Sequence, residues 1–339
     1  MAADRMINYL RISITDRCNL RCLYCMAEEG VPVQDHRQIL TYEEILTVAR
    51  TAVGLGVDRF RVTGGEPLVR KGVVDFVGRL AALEGVREVA LTTNGLLLPA
   101  LAGPLRAAGL ARLNVSLDSL RPRTYRRVTR GGSLEAALRG LATALAEGFS
   151  PVKVNVVLLG GLNGGEVETF AALAGAYPLV VRFIELMPLG ESHRWPRYRF
   201  LPGPAVMARL AQGGRLEPVA GIPGNGPAAY YRWSPHRPAE PPRLPGVEAT
   251  GNGVATLGMI SPLSRPFCSG CNRLRLTADG KLHACLATEA GVDLRRALRE
   301  GAGERDLGEL IRQAAAMKPE IHSLGSGCGR RRRMSELGG

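Results

Sequence analysis

The amino-acid sequence predicts an α/β fold built on a parallel sheet. Between Ile7 and Met187, short apolar runs that favour strands alternate with longer patterns rich in Ala and Leu. Such alternation implies parallel strands joined by right-handed crossovers. The chain has 339 residues, 45% of them hydrophobic, which suffices for one large α/β domain and a smaller one. Six strand-helix units are too few for an eight-fold barrel, so an open or partial barrel and a doubly wound sheet both remain open.

Each element of this region follows from its local pattern. We predict strands over residues 9–15, 59–63, 88–93, 112–117, 152–159 and 180–187. We predict helices over residues 42–53, 73–83, 100–108, 134–147 and 167–176. Thr41 before two glutamates and Ser133 before Glu135 are typical helix start signals, because a side-chain oxygen there accepts from exposed backbone amides.

The second part of the chain is less regular. Residues 195–245 hold 11 of the 22 prolines, which predicts a linker or an irregular wrapping segment, with a short helix around residues 205–210 left open. Beyond it we predict ordered structure over residues 253–260, a β-hairpin around Asp279-Gly280 and a helical part over residues 294–317. The predicted domains are therefore residues 1–200, and residues 201–339 as a linker with a C-terminal region.

Three cysteines follow the first predicted strand, in the spacing Cys18-x3-Cys22-x2-Cys25 (the first cysteine set). Three thiolates cannot close a tetrahedral zinc site by themselves. A 4Fe-4S cluster accepts three cysteines and leaves one iron open to a small molecule. The set therefore favours an iron-sulfur cluster, with structural zinc that borrows a distant ligand as the alternative.

A second group has the spacing Cys268-x2-Cys271-x13-Cys285 (the second cysteine set). In isolation this pattern is more typical of zinc, with His283 as a fourth ligand, and would suggest nucleic-acid binding in a basic protein. The first set shifts the interpretation towards another cluster. The seventh cysteine, Cys328, is left over, and the clustering favours metal binding in a reducing compartment over disulfides.

Four predicted strands carry a basic residue between apolar neighbours, at Arg11, Arg61, Lys153 and Arg182. Two unit charges about 4 Å apart repel by roughly 4 kcal/mol at an effective dielectric near 20, so a converging set needs an anion. Arginine forks match phosphate oxygens. The pattern predicts a shared anion site, and pairing of these residues with Glu or Asp is the alternative.

Polar and glycine-rich segments follow the predicted strands at their carboxyl ends. They are Thr15-Asp16 with the cysteine loop, Thr63-Gly64-Gly65-Glu66-Pro67, Thr92-Thr93-Asn94-Gly95, Ser116-Leu117-Asp118 and Glu185-Leu186-Met187-Pro188. Any one of them could be an ordinary turn. Because the active sites of α/β barrels and open α/β sheets lie at that edge, their convergence predicts a functional site there.

These motifs resemble the radical S-adenosylmethionine superfamily, through the first cysteine set and Gly64-Gly65-Glu66-Pro67. The longer segments 11–19 and 267–280 and the final Gly338-Gly339 resemble the GTP 3',8-cyclase family of molybdenum-cofactor biosynthesis. The resemblance implies a partial (βα)6 TIM-like barrel with a C-terminal extension that carries a second iron-sulfur cluster. It also implies two 4Fe-4S clusters and S-adenosylmethionine as cofactors.

The resemblance assigns a role to each site residue. Metal ligands would be Cys18, Cys22, Cys25, Cys268, Cys271 and Cys285. Contacts to S-adenosylmethionine would come from Tyr24, Gly65, Glu66, Ser116 and Met187. Contacts to GTP would come from Arg11, Arg61, Thr92, Lys153, Arg182, Arg273, Leu274 and Arg275. Catalytic residues would be Arg17, Gly338 and Gly339.

The implied reaction is a radical cyclisation. A 5'-deoxyadenosyl radical would take the ribose 3' hydrogen of GTP, and bonding of C3' to C8 would give (8S)-3',8-cyclo-7,8-dihydroguanosine 5'-triphosphate. The implied partners are a reductant protein such as flavodoxin or ferredoxin and cyclic pyranopterin monophosphate synthase as the recipient of the product. A homodimer is left open.

Two other functions are weighed against this one. A radical enzyme acting on a peptide would keep the first cluster and ignore GTP, and a zinc protein would bind nucleic acid. The net charge of +13 does not choose among nucleic acid, a membrane surface and an anionic substrate. No apolar run reaches the ~18 residues of a membrane span. The expectation is a cytoplasmic enzyme without nucleic-acid or membrane partners.

Overall fold

The computed structural model describes residues 5–31, 35–237, 239–324 and Met334. Its strands are β1 Tyr9–Ser13, β2 Arg59–Thr63, β3 Glu88–Thr93, β4 Arg112–Ser116, β5 Val152–Leu158, β6 Leu179–Glu185, β7 Gly214–Pro218, β8 Ala229–Pro235, β9 Ala255–Ile260, β10 Arg273–Leu276, β11 Lys281–His283 and β12 Val292–Asp293. Its helices are α1 Tyr42–Gly54, α2 Val73–Ala81, α3 Leu98–Ala107, α4 Pro122–Thr129, α5 Leu134–Ala146, α6 Val167–Ala176, α7 Gly203–Gly213, α8 Leu294–Arg299 and α9 Glu304–Ala316.

The twelve strands form one sheet in the order β12-β11-β10-β1-β2-β3-β4-β5-β6-β9-β8-β7. Strands β10, β1 to β6 and β9 are parallel, and antiparallel strands flank them at both edges. The predicted α/β fold with a parallel sheet is confirmed. The doubly wound alternative is wrong, because β1 to β6 follow one another in chain order without the reversal that defines such a sheet.

The strand registers sort the side chains of the sheet into an apolar and a polar face. Registered neighbours share a face because side chains alternate along a strand. The apolar face packs in the core and includes Leu10, Ile12, Phe60, Val62, Leu113, Val154, Val181 and Leu274. The polar face carries Arg11, Arg61, Thr92, Asn114, Lys153, Asn155, Arg182 and Arg275.

Both predicted helix starts are confirmed. Thr41 Oγ1 accepts from the Glu44 amide at 3.1 Å, and Glu44 Oε2 accepts from the Thr41 amide at 2.7 Å. Ser133 Oγ accepts from the Ala136 amide at 3.2 Å. These bonds satisfy amides that have no partner inside the helix.

The prediction of an irregular segment over residues 195–245 is wrong where β7 and β8 form, whereas α7 confirms the short helix left open around residues 205–210. Proline density does not exclude a helix there, because Pro202 and Pro204 lie at the start of α7, where a missing amide costs nothing. Trp233 on β8 is only 3% exposed, and its Nε1 donates to Leu210 O at 2.7 Å. The hairpin around Asp279-Gly280 is confirmed by the antiparallel pairing of β10 with β11.

Two helices differ from the sequence prediction. The helical part over residues 294–317 is divided into α8 and α9 around Gly301, whose φ of +84° favours glycine. Helix α4 was not predicted, because only Tyr125, Val128 and Thr129 of its residues are buried.

Within the described residues, no helix combines the length and apolar character of a membrane span. The predicted domain boundary at residue 200 stays a prediction.

Candidate active site

A cavity of about 300 Å³ lies between the two cysteine sets. Its lining includes many of the predicted site residues: Arg11, Cys18, Cys22, Tyr24, Cys25, Arg61, Gly65, Glu66, Thr92, Ser116, Arg182, Met187, Cys268, Cys271, Arg273, Arg275 and Cys285. Two distant segments of the chain and the polar face of the sheet therefore meet in one site.

Some predicted residues lie elsewhere. Lys153 is 1% exposed and lies deeper on the polar face, whereas Leu274 is 1% exposed in the core on the apolar face. Arg17 is exposed. Gly338 and Gly339, with the leftover Cys328, lie outside the described residues.

Backbone hydrogen bonds hold the loop of the first cysteine set. The amides of Cys25 and Met26 both donate to Cys22 O, at 2.9 and 3.1 Å. The Gly65 amide donates to Thr15 O at 2.7 Å, and a Cβ on Gly65 would lie 2.3 Å from Arg17 O. Glycine at position 65 therefore allows the turn after β2 to contact the cysteine loop directly.

Two buried carboxyl groups form hydrogen bonds at the carboxyl ends of the strands, beside the loop of the first cysteine set. Glu66 accepts from Thr93 Oγ1 at 2.7 Å, from the Asn94 amide at 2.7 Å and from the Leu68 amide at 3.1 Å. Burial raises the pKa of Glu66 to about 7, although these hydrogen bonds oppose the shift. Asp118 accepts from Tyr24 Oη at 2.8 Å, and burial raises the pKa of Asp118 to about 6.

Cys18 and Cys22 of the first cysteine set and Cys271 of the second have opposite electrostatic surroundings. Burial is the main cause that raises the pKa of Cys22, with Asp118 adding to the shift, and burial raises the pKa of Cys18 to about 11. Burial also acts on Cys271, but the charges of Arg273 and Lys318 outweigh it and lower the pKa of Cys271 to about 7.

Lys318 is a site residue that sequence analysis missed. Its Nζ donates to Cys271 Sγ at 3.5 Å and to the carbonyls of Arg273 and Ala284, each at 2.7 Å. It follows α9, far from the cysteines in sequence, and no local motif marks it. His283, the candidate zinc ligand, is buried on β11 with Nδ1 at 2.9 Å from Ala290 O, which gives the zinc interpretation no support.

The basic residues of the polar face lie side by side. Arg275, Arg11 and Arg61 occupy registered positions on β10, β1 and β2. Burial lowers the pKa of Arg11, and Arg275 and Arg61 lower it further. Three neighbouring strands thus direct like charges to one place.

The described residues offer the deeper cations no carboxylate at ion-pair distance. Arg182 Nε donates to Asn155 Oδ1 at 2.9 Å and Nη2 donates to Asn114 Oδ1 at 2.7 Å, so its partners are neutral amides. Among the described residues, no carboxylate forms an ion pair with Arg61, Lys153 or Arg182. The pairing alternative therefore fails for these three, and positive charge is left for an anion.

The comparisons with known proteins agree on one family. The Radical SAM superfamily matches residues 12–174, and Molybdenum Cofactor Synthesis C matches residues 179–324. GTP 3',8-cyclase of Pelotomaculum thermopropionicum is 49% identical over 99% of this chain and 98% of its own length. Those of Heliobacterium modesticaldum and Moorella thermoacetica are each 47% identical, over 100% and 99% of this chain and 99% and 98% of their own lengths.

This chain belongs to the GTP 3',8-cyclase family. Among solved structures, SuiB of Streptococcus suis bound to precursor peptide SuiA is similar with a TM-score of 0.52 and 12% identity. The match covers 61% of this chain and 46% of SuiB, so the chain spans less than half of that protein and the likeness extends to the fold alone.

Membership in the radical SAM superfamily implies a 4Fe-4S cluster and S-adenosylmethionine. No three His, Cys, Asp or Glu side chains of the described ranges have the arrangement to hold a single metal ion. Three half-buried cysteines on one loop fit a larger cluster that takes three thiolates. Burial disfavours the thiolates of Cys18 and Cys22 without a metal, and ligation would reverse this because a bound metal deprotonates its thiols.

In this member of the GTP 3',8-cyclase family, a loop over residues 221–226 covers the polar face of the sheet near the amino ends of the strands. It is here called the floor loop. Pro223 O accepts from Lys153 Nζ and, at 3.0 Å, from Arg112 Nη1. Asn8 Oδ1 accepts from Asn225 Nδ2 at 3.0 Å and from Asn272 Nδ2 at 2.7 Å. The floor loop is thereby tied both to the buried cations and to the segment after Cys271, and the sequence analysis missed it.

Proposed function

We propose that this chain converts GTP to (8S)-3',8-cyclo-7,8-dihydroguanosine 5'-triphosphate in molybdopterin biosynthesis. The single observation that carries the proposal is the cavity lined by both cysteine sets and by the cations of the polar face. Cysteine sets suit iron-sulfur clusters, and the forked guanidinium groups of arginines on the polar face suit a triphosphate. The family of the chain supplies the reaction type.

The fold proposed for the first part of the chain is a partial (βα)6 TIM-like barrel. The chain order of β1 to β6 and the helices that follow them support it, because each crossover advances by one strand as in a barrel. The polar face would be the barrel interior. Its carboxyl edge would then hold the cofactor, where active sites of such barrels lie.

For S-adenosylmethionine we propose contacts from Tyr24, Gly65, Glu66, Ser116 and Met187. When bound beside a reduced cluster, this cofactor would supply the radical that takes the 3' hydrogen of GTP and so permits C3'-C8 bonding. Glu66 would act by fixing the turn through its three accepted hydrogen bonds. The Tyr24 hydroxyl, by donating to Asp118, would join the cysteine loop to the segment that follows β4 and so fix the position of the Tyr24 ring.

For GTP we propose that cations of the polar face hold the triphosphate. They are Arg11, Arg61, Lys153, Arg182 and Arg275. Thr92 Oγ1 and Arg61 Nε are buried without a hydrogen-bond partner among the described residues. Buried polar groups are normally hydrogen-bonded, so a bound polar ligand is expected to supply these bonds. A second 4Fe-4S cluster on Cys268, Cys271 and Cys285 would face the base, beside Arg273, Leu274 and Lys318.

The proposed function is tested by product analysis with GTP, S-adenosylmethionine and a reductant under anaerobic conditions. We expect the cyclised nucleotide and about eight irons per chain after reconstitution, four for each 4Fe-4S cluster. Bound zinc without iron after anaerobic preparation would overturn the proposal. Failure of the reconstituted protein to bind GTP would favour an enzyme that acts on a peptide.

Replacing Gly224 with Ala is expected to weaken GTP binding about tenfold, since a Cβ there would lie 2.6 Å from Arg112 Nη1 and 2.8 Å from Lys153 Nζ. Gly221→Ala is the matched control, because Gly221 has a φ of +79° in the same loop and open space around its Cβ position. Both variants should lose about 1–2 kcal/mol of stability from the left-handed backbone. Calorimetry with GTP should separate them, and equal affinities would refute a role of the floor loop in placing the cations.

Removal of Gly338 and Gly339 is expected to abolish product formation. Met334 lines the cavity, and the five residues that follow it in the sequence would span up to ~17 Å if fully extended, which is long enough to reach into the site. Arg17, the other proposed catalytic residue, lies on the cysteine loop. The measurement is product yield alongside iron content and S-adenosylmethionine cleavage, both of which should persist. Full activity of the truncated protein would remove the terminal glycines from the mechanism.

A further inference from the structure

Helix α4 presents an arginine-rich surface, here called the α4 arginine face. Tyr125 and Val128 are buried, whereas the side chains of Arg121, Arg123, Arg126 and Arg127 are exposed. Residues 123, 126 and 127 are neighbours on one helix face, because side chains three and four apart lie together. Within the described ranges, no carboxylate lies within ion-pair distance of these four arginines.

The α4 arginine face is attached directly to the loop of the first cysteine set. The Leu23 amide donates to Val128 O at 2.9 Å, and the Arg21 amide donates to Thr129 O at 3.2 Å. Arg130, which ends α4 with a φ of +52°, donates from Nη1 to Met26 O at 2.7 Å. Backbone bonds thus place the end of this basic helix against the segment that holds Cys22 and Cys25.

We propose that the α4 arginine face is the docking surface for an acidic one-electron donor protein. The inference rests on the proposed function, because the first cluster must gain one electron from outside the chain in each turnover. The donor is oxidised by one electron and the cluster is reduced by one, and no atom or proton has to move with it. Electron transfer slows steeply with distance, so the surface that adjoins the cluster loop is the effective place to dock.

The charge of the α4 arginine face indicates which kind of protein would bind to it. Interfaces between electron-transfer partners are small and transient, and opposite charges on the partners speed their encounter. Four exposed arginines that form no ion pair with a carboxylate of the described residues supply one side of such a contact. They cover one short helix of eight residues, which is a narrow surface for a nucleic-acid strand. An acidic redox protein carries carboxylates around its redox group. Their charge is opposite to that of the α4 arginine face, and the contact they form is comparably small.

The test uses the reconstituted holoenzyme with the double substitution Arg123→Glu and Arg127→Glu. The matched control is Arg50→Glu with Arg237→Glu, two exposed arginines on α1 and after β8, several strands from β4 in the sheet order. Each arginine-to-glutamate change alters the charge by two, so both variants go from +13 to +9.

The binding probe is an acidic flavodoxin, titrated by calorimetry at low and at physiological ionic strength. We expect the α4 variant to bind at least about tenfold more weakly at low salt and with a shallower salt dependence. The control should stay within about twofold of the wild type, apart from the long-range effect of net charge that both variants share. Equal affinity of the α4 variant and the control would overturn the proposal, as would wild-type binding to single-stranded RNA or anionic vesicles but not to flavodoxin.

A second readout separates this inference from the proposed function. With dithionite as a small chemical reductant, wild type, α4 variant and control should form product at equal rates, whereas flavodoxin-driven turnover should fall only in the α4 variant. Absence of product from wild type with dithionite would contradict the proposed function and leave the binding result standing. If the charge reversal lowers iron content or thermal stability, Arg123→Gln with Arg127→Gln gives the same comparison with a smaller perturbation.

Discussion

Replacing Arg182 with Ala is expected to weaken GTP binding by about a hundredfold while the unliganded fold stays as stable as the wild type. A lost hydrogen bond between charged groups costs about 1.5–3 kcal/mol, which corresponds to roughly 10- to 150-fold in affinity. Arg182 is 4% exposed on the polar face, and its proposed partner is a triphosphate, so the upper part of that range is expected. Calorimetry with GTP measures the loss.

The stability half of this prediction follows from the surroundings of Arg182. Burial lowers its pKa to about 10, and Arg61 contributes to the shift, so the charged form is disfavoured when no anion is bound. Its removal relieves that repulsion but leaves the oxygens of Asn114 and Asn155 without their donor. The two effects offset each other, and the thermal midpoint without GTP should change little. Arg182→Lys, which keeps the charge, should recover part of the GTP affinity.

The two measurements distinguish an anion site from a structural arginine. A structural role would lower the thermal midpoint and the GTP affinity together. If Arg182 belongs to an anion site, the rise in thermal midpoint that GTP causes should become much smaller in the variant. Cleavage of S-adenosylmethionine that is not coupled to product formation should be unchanged. Unchanged GTP affinity of Arg182→Ala would count against the shared anion site.

Local sequence patterns predict the strands and the chemically active residues of this protein well. They predict its long-range contacts poorly. All six strands and five helices predicted between residues 9 and 187 lie within two residues of their observed ends. Periodicity and cap residues decide such elements, and both are written in neighbouring residues. The cysteine spacings and the arginines between apolar neighbours are local in the same sense.

What the sequence could not predict depends on partners far along the chain. The parallel pairing of β10 with β1 joins strands from opposite ends of the sequence, and β9 pairs with β6 across the long segment that holds α7, β7 and β8. Lys318 reaches Cys271 across 47 residues, and Pro223 accepts from Lys153 across 70 residues. Helix α4 was missed for another reason, because charged residues on its exposed side outweigh the few buried ones. The site is therefore recognisable from local motifs, whereas its floor and its basic surroundings are not.

The affinity for GTP is expected to fall as pH rises above about 7, because of Lys153. Burial lowers the pKa of Lys153 to about 7, and Arg182, Arg112 and Arg61 lower it further, with Glu88 opposing them. A bound phosphate would raise that pKa again. Below pH 7 the ammonium group is already present, whereas above pH 7 binding must take up a proton. Affinity then falls by at most about tenfold per pH unit, until the pH reaches the pKa of the complex.

Two variants isolate this effect from the titration of GTP itself. Lys153→Arg keeps a charge throughout the range and should show a nearly flat affinity above pH 7. Lys153→Met has no charge and should bind more weakly, also without a slope. The folding equilibrium provides an independent check with a defined sign. An unfolded lysine holds its proton up to a pKa of about 10.4, so the wild type should gain stability between pH 7 and 10 relative to Lys153→Met. Parallel pH profiles of wild type and Lys153→Arg would show that Lys153 is not the titrating group and would remove it from the proposed triphosphate site.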